Sequence, residues 1–181
     1  MKKTCIILLL SLLSCQQNNN TNNLIDLVPT DPLLLVKNNN FSDKNLINFN
    51  RSLNKILKVN LDSILSKINE SEILVSYHKI GKSTITPIVF SRSNTNLYFK
   101  KNILDSIIYD RHVIKRIGDE SNFYYSTLKN NILIESESKL LIENSIRNSN
   151  IISKNSKNEL IKLYNVSNSN LVIFVSDELR Y

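Results

Sequence analysis

The sequence predicts an α+β fold in which an antiparallel-rich sheet carries helices packed on one face, and three observations support this class. Segments with alternating apolar and polar residues come in pairs separated by Gly or Asn turns, as in β-hairpins. Between these pairs, apolar residues recur at helical spacing. Hydrophobic residues make up 41% of the 181 residues, enough for a globular domain of ordinary size. The expected building block is a strand-helix-hairpin unit.

A strand and two helical segments are predicted first. Pro29 and Pro32 bracket a rigid turn, and the apolar run Leu33–Val36 that follows is typical of a buried strand. Ser42 is expected to cap a helix, and a second short amphipathic segment continues its apolar face. The apolar positions at helical spacing are Leu46, Ile47, Phe49, Leu53, Ile56 and Leu57, followed by Leu61, Ile64, Leu65 and Ile68.

The apolar period then changes to two, which predicts strands. Gly81 is expected to form the turn of a hairpin between Glu72–Ile80 and Thr84–Arg92. Because Pro87 cannot donate a ladder hydrogen bond, the second strand is expected to lie at a sheet edge or to bulge there. The next stretch, LDSIIYDRHVIKRIG, is expected to open with a short turn of helix and to continue as a strand.

The last third of the chain returns to a hairpin, helices and a strand. Asn130 and Asn131 are predicted to form a hairpin turn, because asparagine tolerates left-handed conformations. Ser138 is expected to cap a helix, KNELIKLYNV to form another, and Leu171–Val175 to form a buried strand. The inner side of the first of these helices is expected to hold Leu140, Leu141, Ile142 and Ile146.

The closing strand resembles the opening one, since each is aliphatic and precedes a polar corner. This pattern favours a longer protein built from repeated units, in which residues 170–181 begin a second repeat. The alternative is one domain whose last strand inserts beside its first.

The N-terminus has the layout of an export signal. Two lysines precede the apolar run Ile6–Leu13, which is too short to span a bilayer, and the small Ser14 precedes Cys15. Leu12–Cys15 resembles the lipobox of bacterial lipoproteins. That resemblance implies cleavage between Ser14 and Cys15 and a diacylglyceryl group on Cys15. The alternative is an ordinary secretory signal that contains a cysteine.

The polar stretch after Cys15, QQNNNTNN, suits a flexible tether between a lipid anchor and a domain. Cys5 would leave with the signal, so no disulfide can form within the mature chain. Acylated Cys15 is expected to hold the protein on membrane lipid. The lipoprotein resemblance implies from Gln16 an outer-membrane location, and the absence of acidic residues early in the tether favours a domain that faces the periplasm. The predicted organisation is a signal peptide at 1–14, a tether at 15–23, an α+β domain at 24–169 and the second repeat at 170–181.

The charge distribution argues against a nucleic-acid partner. The chain has 23 Lys and Arg residues against 16 Asp and Glu residues; without the two lysines of the leader, 21 against 16 leaves +5. Nucleic-acid-binding proteins gather basic residues on one face, whereas this excess is spread along the chain. The short clusters at Lys115–Gly118 and Phe99–Asn102 are expected to be solvated strand edges or turns.

Residues that carry catalysis or bind metals do not form a recognisable motif. Glu135 and Glu137 are predicted to share a solvent-facing side of one strand, and with Asp110 they are the strand-borne carboxylates that a two-metal nuclease site would use. His78 and His112 are expected to be partly exposed on separate strands, without the spacing of zinc ligands. No catalytic residue, metal ligand or cofactor is therefore predicted.

Four segments resemble successive parts of a family of long, uncharacterised lipoproteins from flavobacteria and their relatives: LVPTDPLLLVKNNNF, EILVSYHKIGK, NFYYSTLKNNILIESESKLLIENSIRN and NSNLVIFV. The resemblance covers most of the mature chain and rests on pattern. Family members are much longer, and some similar chains carry a ribonuclease label. The resemblance implies that this chain is the N-terminal portion of an envelope lipoprotein. The tripeptides Asp62-Ser63-Ile64 and Asp105-Ser106-Ile107 also resemble the O-glycosylation sequon of this bacterial group, which implies modification of Ser63 and Ser106; plain helix caps or turns are the alternative.

The leading functional hypothesis is a membrane-anchored, non-catalytic structural or interaction module with an envelope protein as its partner. One alternative is the N-terminal part of a larger enzyme whose active site lies beyond residue 181. Another is a ligand- or glycan-binding module that uses an open face of the sheet. The tyrosines available for such a face are Tyr77, Tyr109, Tyr124 and Tyr125, although tyrosines more often fill sheets and cores.

Overall fold

The computed structural model describes residues 23–39, 44–59, 61, 64, 72–92, 102–147, 162, 164 and 171–176. Within these residues, one antiparallel sheet of eight strands is accompanied by two α-helices, so the predicted α+β class is confirmed. The elements are a 3-10 helix (Leu24–Leu27), β1 (Leu34–Asn38), α1 (Lys44–Leu57), β2 (Ile73–Ile80), β3 (Thr84–Arg92), β4 (Ile103–Tyr109), β5 (His112–Gly118), β6 (Phe123–Lys129), β7 (Ile132–Ser136), α2 (Lys139–Arg147) and β8 (Leu171–Val175). The strand order across the sheet is β4-β5-β6-β7-β3-β2-β1-β8.

The hairpins and the cap that single residues predicted are confirmed. β2 pairs with β3 through the turn at Gly81, whose φ of 66° suits glycine. β6 pairs with β7 through Asn130 and Asn131, at φ values of 53° and 62°. Ser138 caps α2, because the Leu141 backbone N–H donates a hydrogen bond to its Oγ at 3.4 Å.

The stretch Ile103–Tyr109 forms a strand, where the sequence suggested a short turn of helix. β4 pairs along its length with β5 through a two-residue turn. In this turn Asp110 and Arg111 both have positive φ, 44° and 63°. Arginine is not among the residues that indicate such a turn, so the sequence pattern concealed the hairpin.

Pro87 lies in a central strand, although an edge or a bulge was expected. β3 has β2 on one side and β7 on the other, but its pairing with β7 covers only Ile88–Arg92. The Pro87 carbonyl accepts a hydrogen bond from Ser136 Oγ at 2.7 Å, so it points to the β7 side. The backbone N and C=O of one strand residue point to the same side, so the Pro87 nitrogen also faces β7. Because the β3–β7 pairing begins only at Ile88, no ladder hydrogen bond is lost at Pro87.

Both faces of the sheet carry a hydrophobic cluster, because successive residues of a strand point to opposite sides. In β1, Leu35 belongs to the first cluster and Leu34 to the second. The 3-10 helix and α2 pack on the first cluster, while α1 packs on the second through Phe49, Leu53 and Leu57. The expected arrangement with helices on one face is therefore not found in the described part of the chain.

The predicted apolar faces of the helices are confirmed in part. Leu141, Ile142 and Ile146 are buried on α2, whereas Leu140 is half exposed, and Ile56 on α1 is exposed. Leu61 and Ile64 are fully buried in the second cluster. Other predictions fall outside the described residues or side chains: the Ser42 cap, the side chains of Leu46 and Ile47, Leu65, Ile68, and KNELIKLYNV apart from the helical Lys162 and Tyr164.

β8 pairs with β1 and forms one edge of the sheet. The Ser176 backbone N–H donates to the Leu33 carbonyl at 2.9 Å and continues this pairing. The closing strand thus lies beside the first one, and the start of a second repeat at residues 170–181 stays a prediction. β8 is half exposed where a buried strand was expected, because an edge strand has a neighbour on one side only.

Candidate functional site

Three of the predicted modification residues lie outside the described part of the chain: Ser14, Cys15 and Ser63. Signal cleavage, lipidation and glycosylation at these positions stay predictions. Ser106 is exposed in β4, next to Asp105, which forms an ion pair with Arg116 Nε at 3.2 Å. An accessible hydroxyl on an edge strand is compatible with modification of Ser106, which also stays a prediction.

The carboxylates considered for a nuclease site do not converge. Glu135 is 1% exposed and accepts a hydrogen bond from Ser126 Oγ at 3.2 Å, so the prediction that it faces solvent is wrong. Glu137 lies after the end of β7, and Asp110 lies in the β4–β5 turn. Among the described residues, no group of three or more His, Cys, Asp or Glu residues could hold a metal ion.

His78 is buried, and the prediction of partial exposure is wrong for it. Its Nε2 lies 2.7 Å from Ser76 Oγ, and it also hydrogen-bonds to the Thr30 backbone. Burial lowers the pKa of His78 to about 4, against the smaller opposite effect of the Thr30 bond, so the ring is neutral at pH 7. A Ser–His contact can activate a nucleophile, but a substrate cannot reach these two side chains without opening the core. His112 is half-buried, with Nδ1 2.7 Å from the Asp110 carbonyl.

The four tyrosines do not form a single binding platform. Tyr77 and Tyr124 are buried in the second cluster, while Tyr109 and Tyr125 pack against the first, on the opposite face. The Tyr77 hydroxyl donates a hydrogen bond to Asn54 Oδ1 of α1 at 3.1 Å, and burial raises the pKa of Tyr77. These side chains fill the two sides of the sheet, which is the more common role of such tyrosines, and the four do not meet on one open face.

The β4–β5 hairpin, at one edge of the sheet, carries four large apolar side chains that are each more than a third exposed. They are Ile103, Ile107, Ile108 and Val113, and Ile108 reaches 81% exposure. We call these four residues the edge surface. Ile103, Ile108 and Val113 share one face of the sheet, and Ile107 lies on the other. The other exposed large apolar side chains of the described residues are divided among α1, α2 and β8.

β4 is the terminal strand of the sheet, so its outer backbone groups face no further strand in the described part of the chain. The register shifts once, between Ile103 and Asp105, and is regular from Asp105 to Tyr109. Natural edge strands often use Lys, Pro or a bulge to block pairing with another chain. β4 contains neither Lys nor Pro, and its irregular part is confined to one end. Its geometry therefore allows an extended segment to continue the sheet.

A charged cluster lies near the opposite end of the sheet. Glu72 accepts hydrogen bonds from the Tyr164 hydroxyl at 2.6 Å and from Arg92 Nε at 3.1 Å. Lys37 Nζ lies 3.8 Å from Glu72 Oε1, donates to the Tyr164 carbonyl at 3.0 Å and sits 3.9 Å from the centre of the Tyr164 ring. Burial, and then the bond to Glu72, raise the pKa of Tyr164, so the phenol stays neutral.

Sequence analysis missed this cluster because its members are far apart in the chain. Tyr164 follows Glu72 by 92 residues and Lys37 by 127. One local feature indicates that Lys37 is buried: it directly follows an apolar run and belongs to the same strand, β1, whose residues are all buried.

An apolar cleft opens beside Lys37, with a void of about 280 Å³ that includes its open mouth. β1, β2 and β8 form its floor, and the 3-10 helix and Tyr164 form its walls. Among the lining residues that the structure describes, Lys37 alone is charged. The lining residues are Ile25, Leu35, Lys37, Leu74, Tyr164, Val172 and Phe174.

Comparison of the chain with protein-family models, with curated proteins and with solved structures finds no match. The resemblance to flavobacterial lipoproteins therefore stays a prediction. None of the helices in the described part of the chain is long and apolar enough to cross a membrane.

Proposed function

We propose that the protein is a lipid-anchored module of the cell envelope that contacts another envelope protein through its β4 edge and does not itself catalyse a reaction. The observation that carries this proposal is the edge surface, in which four exposed apolar side chains border a strand edge that no other described strand covers. Exposed apolar patches of this kind mark interaction sites in soluble domains. The partner contributes an extended segment that pairs with β4.

This mode of binding divides affinity and specificity between two sets of groups. Backbone N–H and C=O groups of β4 supply main-chain hydrogen bonds to the added strand, and apolar side chains on alternate faces select its residues. Ile103, Ile108 and Val113 offer one apolar row, and Ile107 offers a contact on the other face. The Asp105–Arg116 ion pair neutralises the charge that would otherwise interrupt this edge.

A non-catalytic role is supported by where the reactive side chains lie. His78 is engaged with Ser76, and Glu135 with Ser126, and all four are buried. These groups stabilise the interior of the sheet and have no access to a substrate. The envelope location rests on the lipobox-like Leu12–Cys15 and on a polar tether that spans at most about 29 Å between Cys15 and Asn23.

Site-specific photo-cross-linking in cells tests the proposal. A photoreactive phenylalanine derivative replaces Ile108 in the full chain, and the matched control carries it at Ile56, which is 75% exposed on α1. We expect a discrete heavier adduct from position 108 and none from position 56. The adduct at 108 should weaken when Ile103 and Val113 are changed to threonine, which keeps strand propensity but removes apolar contact.

Equal cross-linking at positions 108 and 56 would mean that the edge surface has no special partner. An adduct at position 108 whose yield is unchanged by the two threonine substitutions would likewise contradict the proposal. If the adduct is twice the mass of the chain, the partner is a second copy, and the β4 edge pairs with itself.

A further inference from the structure

We propose that β8 pairs in antiparallel orientation with β8 of a second copy of this chain, about a two-fold axis beside Phe174. The sheets of the two copies then join into one. The inference concerns the opposite edge of the sheet from β4 and does not depend on lipidation. It rests on the composition of β8, on the direction of its backbone groups and on the exposure of two of its side chains.

β8 is apolar at every position, yet none of its side chains is buried. Its sequence is LVIFV, and all five side chains are half-buried or exposed. A strand that is apolar at consecutive positions normally has both faces covered. β8 has β1 on one side, and no other described strand lies on its outer side. The sequence of β8 therefore suits a strand with a neighbour on each side.

The backbone of β8 can accept such a neighbour. The Ser176 N–H points to β1, because it donates a hydrogen bond to the Leu33 carbonyl at 2.9 Å. Backbone groups of successive strand residues alternate in direction, so those of Phe174 also face β1, and those of Ile173 and Val175 face outward. β8 contains neither Pro nor a charged residue that would block pairing with another chain.

A two-fold axis beside Phe174 brings the outward-facing residues of the two copies together. Ile173 of one copy lies opposite Val175 of the other, where the pair can exchange two main-chain hydrogen bonds. These are the two exposed side chains of β8, at 43% and 36% exposure, and the contact covers both. On the other face, Phe174 meets its own copy at the closer spacing of a non-hydrogen-bonded pair, which suits an aromatic contact.

The pairing is self-complementary, which favours a second copy as the occupant of this edge. β8 carries no charge, so the two-fold contact places no like charges opposite each other. It also uses the β8 edge of both copies and therefore closes at a dimer. The contact involves five residues from each copy, fewer than the roughly 20–30 residues a side of a standard interface. The dimer is therefore weak and depends on concentration.

The geometry also suits a membrane-anchored protein. Residues that lie opposite each other in a sheet point to the same face, so the first clusters of both copies lie on one side of the joined sheet. The 3-10 helix, before which the predicted tether ends, packs on that cluster. In the proposed lipoprotein, both copies can then be anchored in one membrane, where their high local concentration favours a weak dimer.

Analytical ultracentrifugation of the full chain in non-ionic detergent micelles tests the inference over a range of concentrations. We expect a monomer–dimer equilibrium for wild type. Ile173→Lys should raise the dimer dissociation constant by about tenfold or more, because it puts an ammonium group into both Ile173–Val175 contacts. The matched control Ile56→Lys, at an exposed position of α1, should stay within about twofold of wild type.

Disulfide cross-linking tests the register. In a mixture of Ile173→Cys and Val175→Cys chains, the two cysteines lie opposite each other at a Cα separation of about 5.5 Å, which a disulfide allows. In either variant alone, the cysteines of the two copies lie diagonally at about 7–8 Å and should not cross-link above wild type. Wild type measures any linkage through Cys5 and Cys15.

Circular dichroism spectra that match wild type confirm that each variant is folded. A monomer at every concentration, a dimer that Ile173→Lys leaves unchanged, or equal cross-linking in the mixture and in the single variants would each overturn the inference. Loss of the dimer in Ile108→Lys but not in Ile173→Lys would place the contact at the β4 edge and would overturn it as well.

Discussion

Two glycines with positive φ differ in their surroundings and therefore in the expected cost of a methyl group. At Gly118, with φ 133°, an added Cβ would lie 2.3 Å from the Asn122 carbonyl oxygen and 2.9 Å from Phe123 Cα. At Gly81, with φ 66°, nothing lies within 4 Å. We expect Gly118→Ala to lower the free energy of unfolding by about 3 kcal/mol or more, and Gly81→Ala by about 1 kcal/mol. Urea unfolding checks both values, and equal losses would contradict the backbone clash at Gly118.

His78 gives the fold a dependence on pH whose sign follows from its lowered pKa. The unfolded chain binds a proton near pH 6.5, whereas the folded chain binds it only near pH 4. The free energy of unfolding should therefore fall as the pH drops from about 6.5 to about 4, by about 3 kcal/mol in total. Above pH 6.5 the ring is neutral in both states and contributes no slope.

Urea unfolding at several pH values checks this dependence by comparing two variants. His78→Gln should lose the part of the slope between about pH 6.5 and 4 that His78 causes, and His112→Gln should keep it. Comparing the variants also cancels the carboxylates, which titrate in the same range. A slope that is identical in wild type and His78→Gln would contradict the buried, neutral state of His78.

Single polar residues were the hardest to place from the sequence. His78 and Glu135 alternate with apolar neighbours, so the strand pattern assigned them to a solvent-facing side. Both faces of the central strands are covered, and each polar side chain is accepted there because it has a hydrogen-bond partner. Those partners lie on the same or a neighbouring strand, and local periodicity carries no information about such contacts.

At the scale of secondary-structure elements, the β4–β5 hairpin contains a strained turn residue. Arg111 has φ 63°, a conformation that costs a residue with a side chain about 1–2 kcal/mol. Arg111→Gly removes this strain but adds freedom to the unfolded chain, so we expect a net gain of about 0.5–1 kcal/mol in unfolding free energy. Arg111→Ala keeps the strain and should leave stability nearly unchanged. Thermal unfolding compares the variants, and a loss of stability in Arg111→Gly would contradict the assigned turn.

Elements with clear turn chemistry could be predicted from the sequence, and the others could not. Gly81 and the Asn130–Asn131 pair marked two hairpins that the structure contains. Asp110–Arg111 carries no such mark, so the sequence predicts a short turn of helix leading into one strand where the structure has the β4–β5 hairpin. The run Leu33–Val36 was informative in a further way, since a strand that is apolar at consecutive positions is buried on both faces. That pattern already argues against helices on one face only.

At the scale of the whole molecule, the two proposed contact surfaces lie at opposite edges of the sheet. β8 forms one edge, whereas the edge surface belongs to β4 and β5. The 3-10 helix that follows the tether contacts β2 and β3. β3 is four strand spacings from β4, or about 20 Å at roughly 4.8 Å per spacing. In the proposed lipoprotein, this places the interacting edge away from the point where the tether enters the domain.

The site residues also differ in whether the local sequence can predict them. The edge surface could have been anticipated only if β4 had been recognised as a strand, because its isoleucines then alternate on an edge. The charged cluster could not, because Lys37, Glu72, Arg92 and Tyr164 meet through tertiary contacts. Cys15 is the reverse case, since its assignment comes from local sequence alone.

Intact mass spectrometry of the chain purified from native membranes, with globomycin-treated cells as the matched control, tests whether Cys15 is the lipidated N-terminus. We expect a mature N-terminus at Cys15 carrying a diacylglyceryl group, and accumulation of a precursor that retains residues 1–14 when globomycin blocks cleavage. Cys15→Ser should leave the chain unlipidated and detached from the membrane. A mature protein with a free thiol on Cys15, or an N-terminus created by cleavage at another residue, would contradict the account.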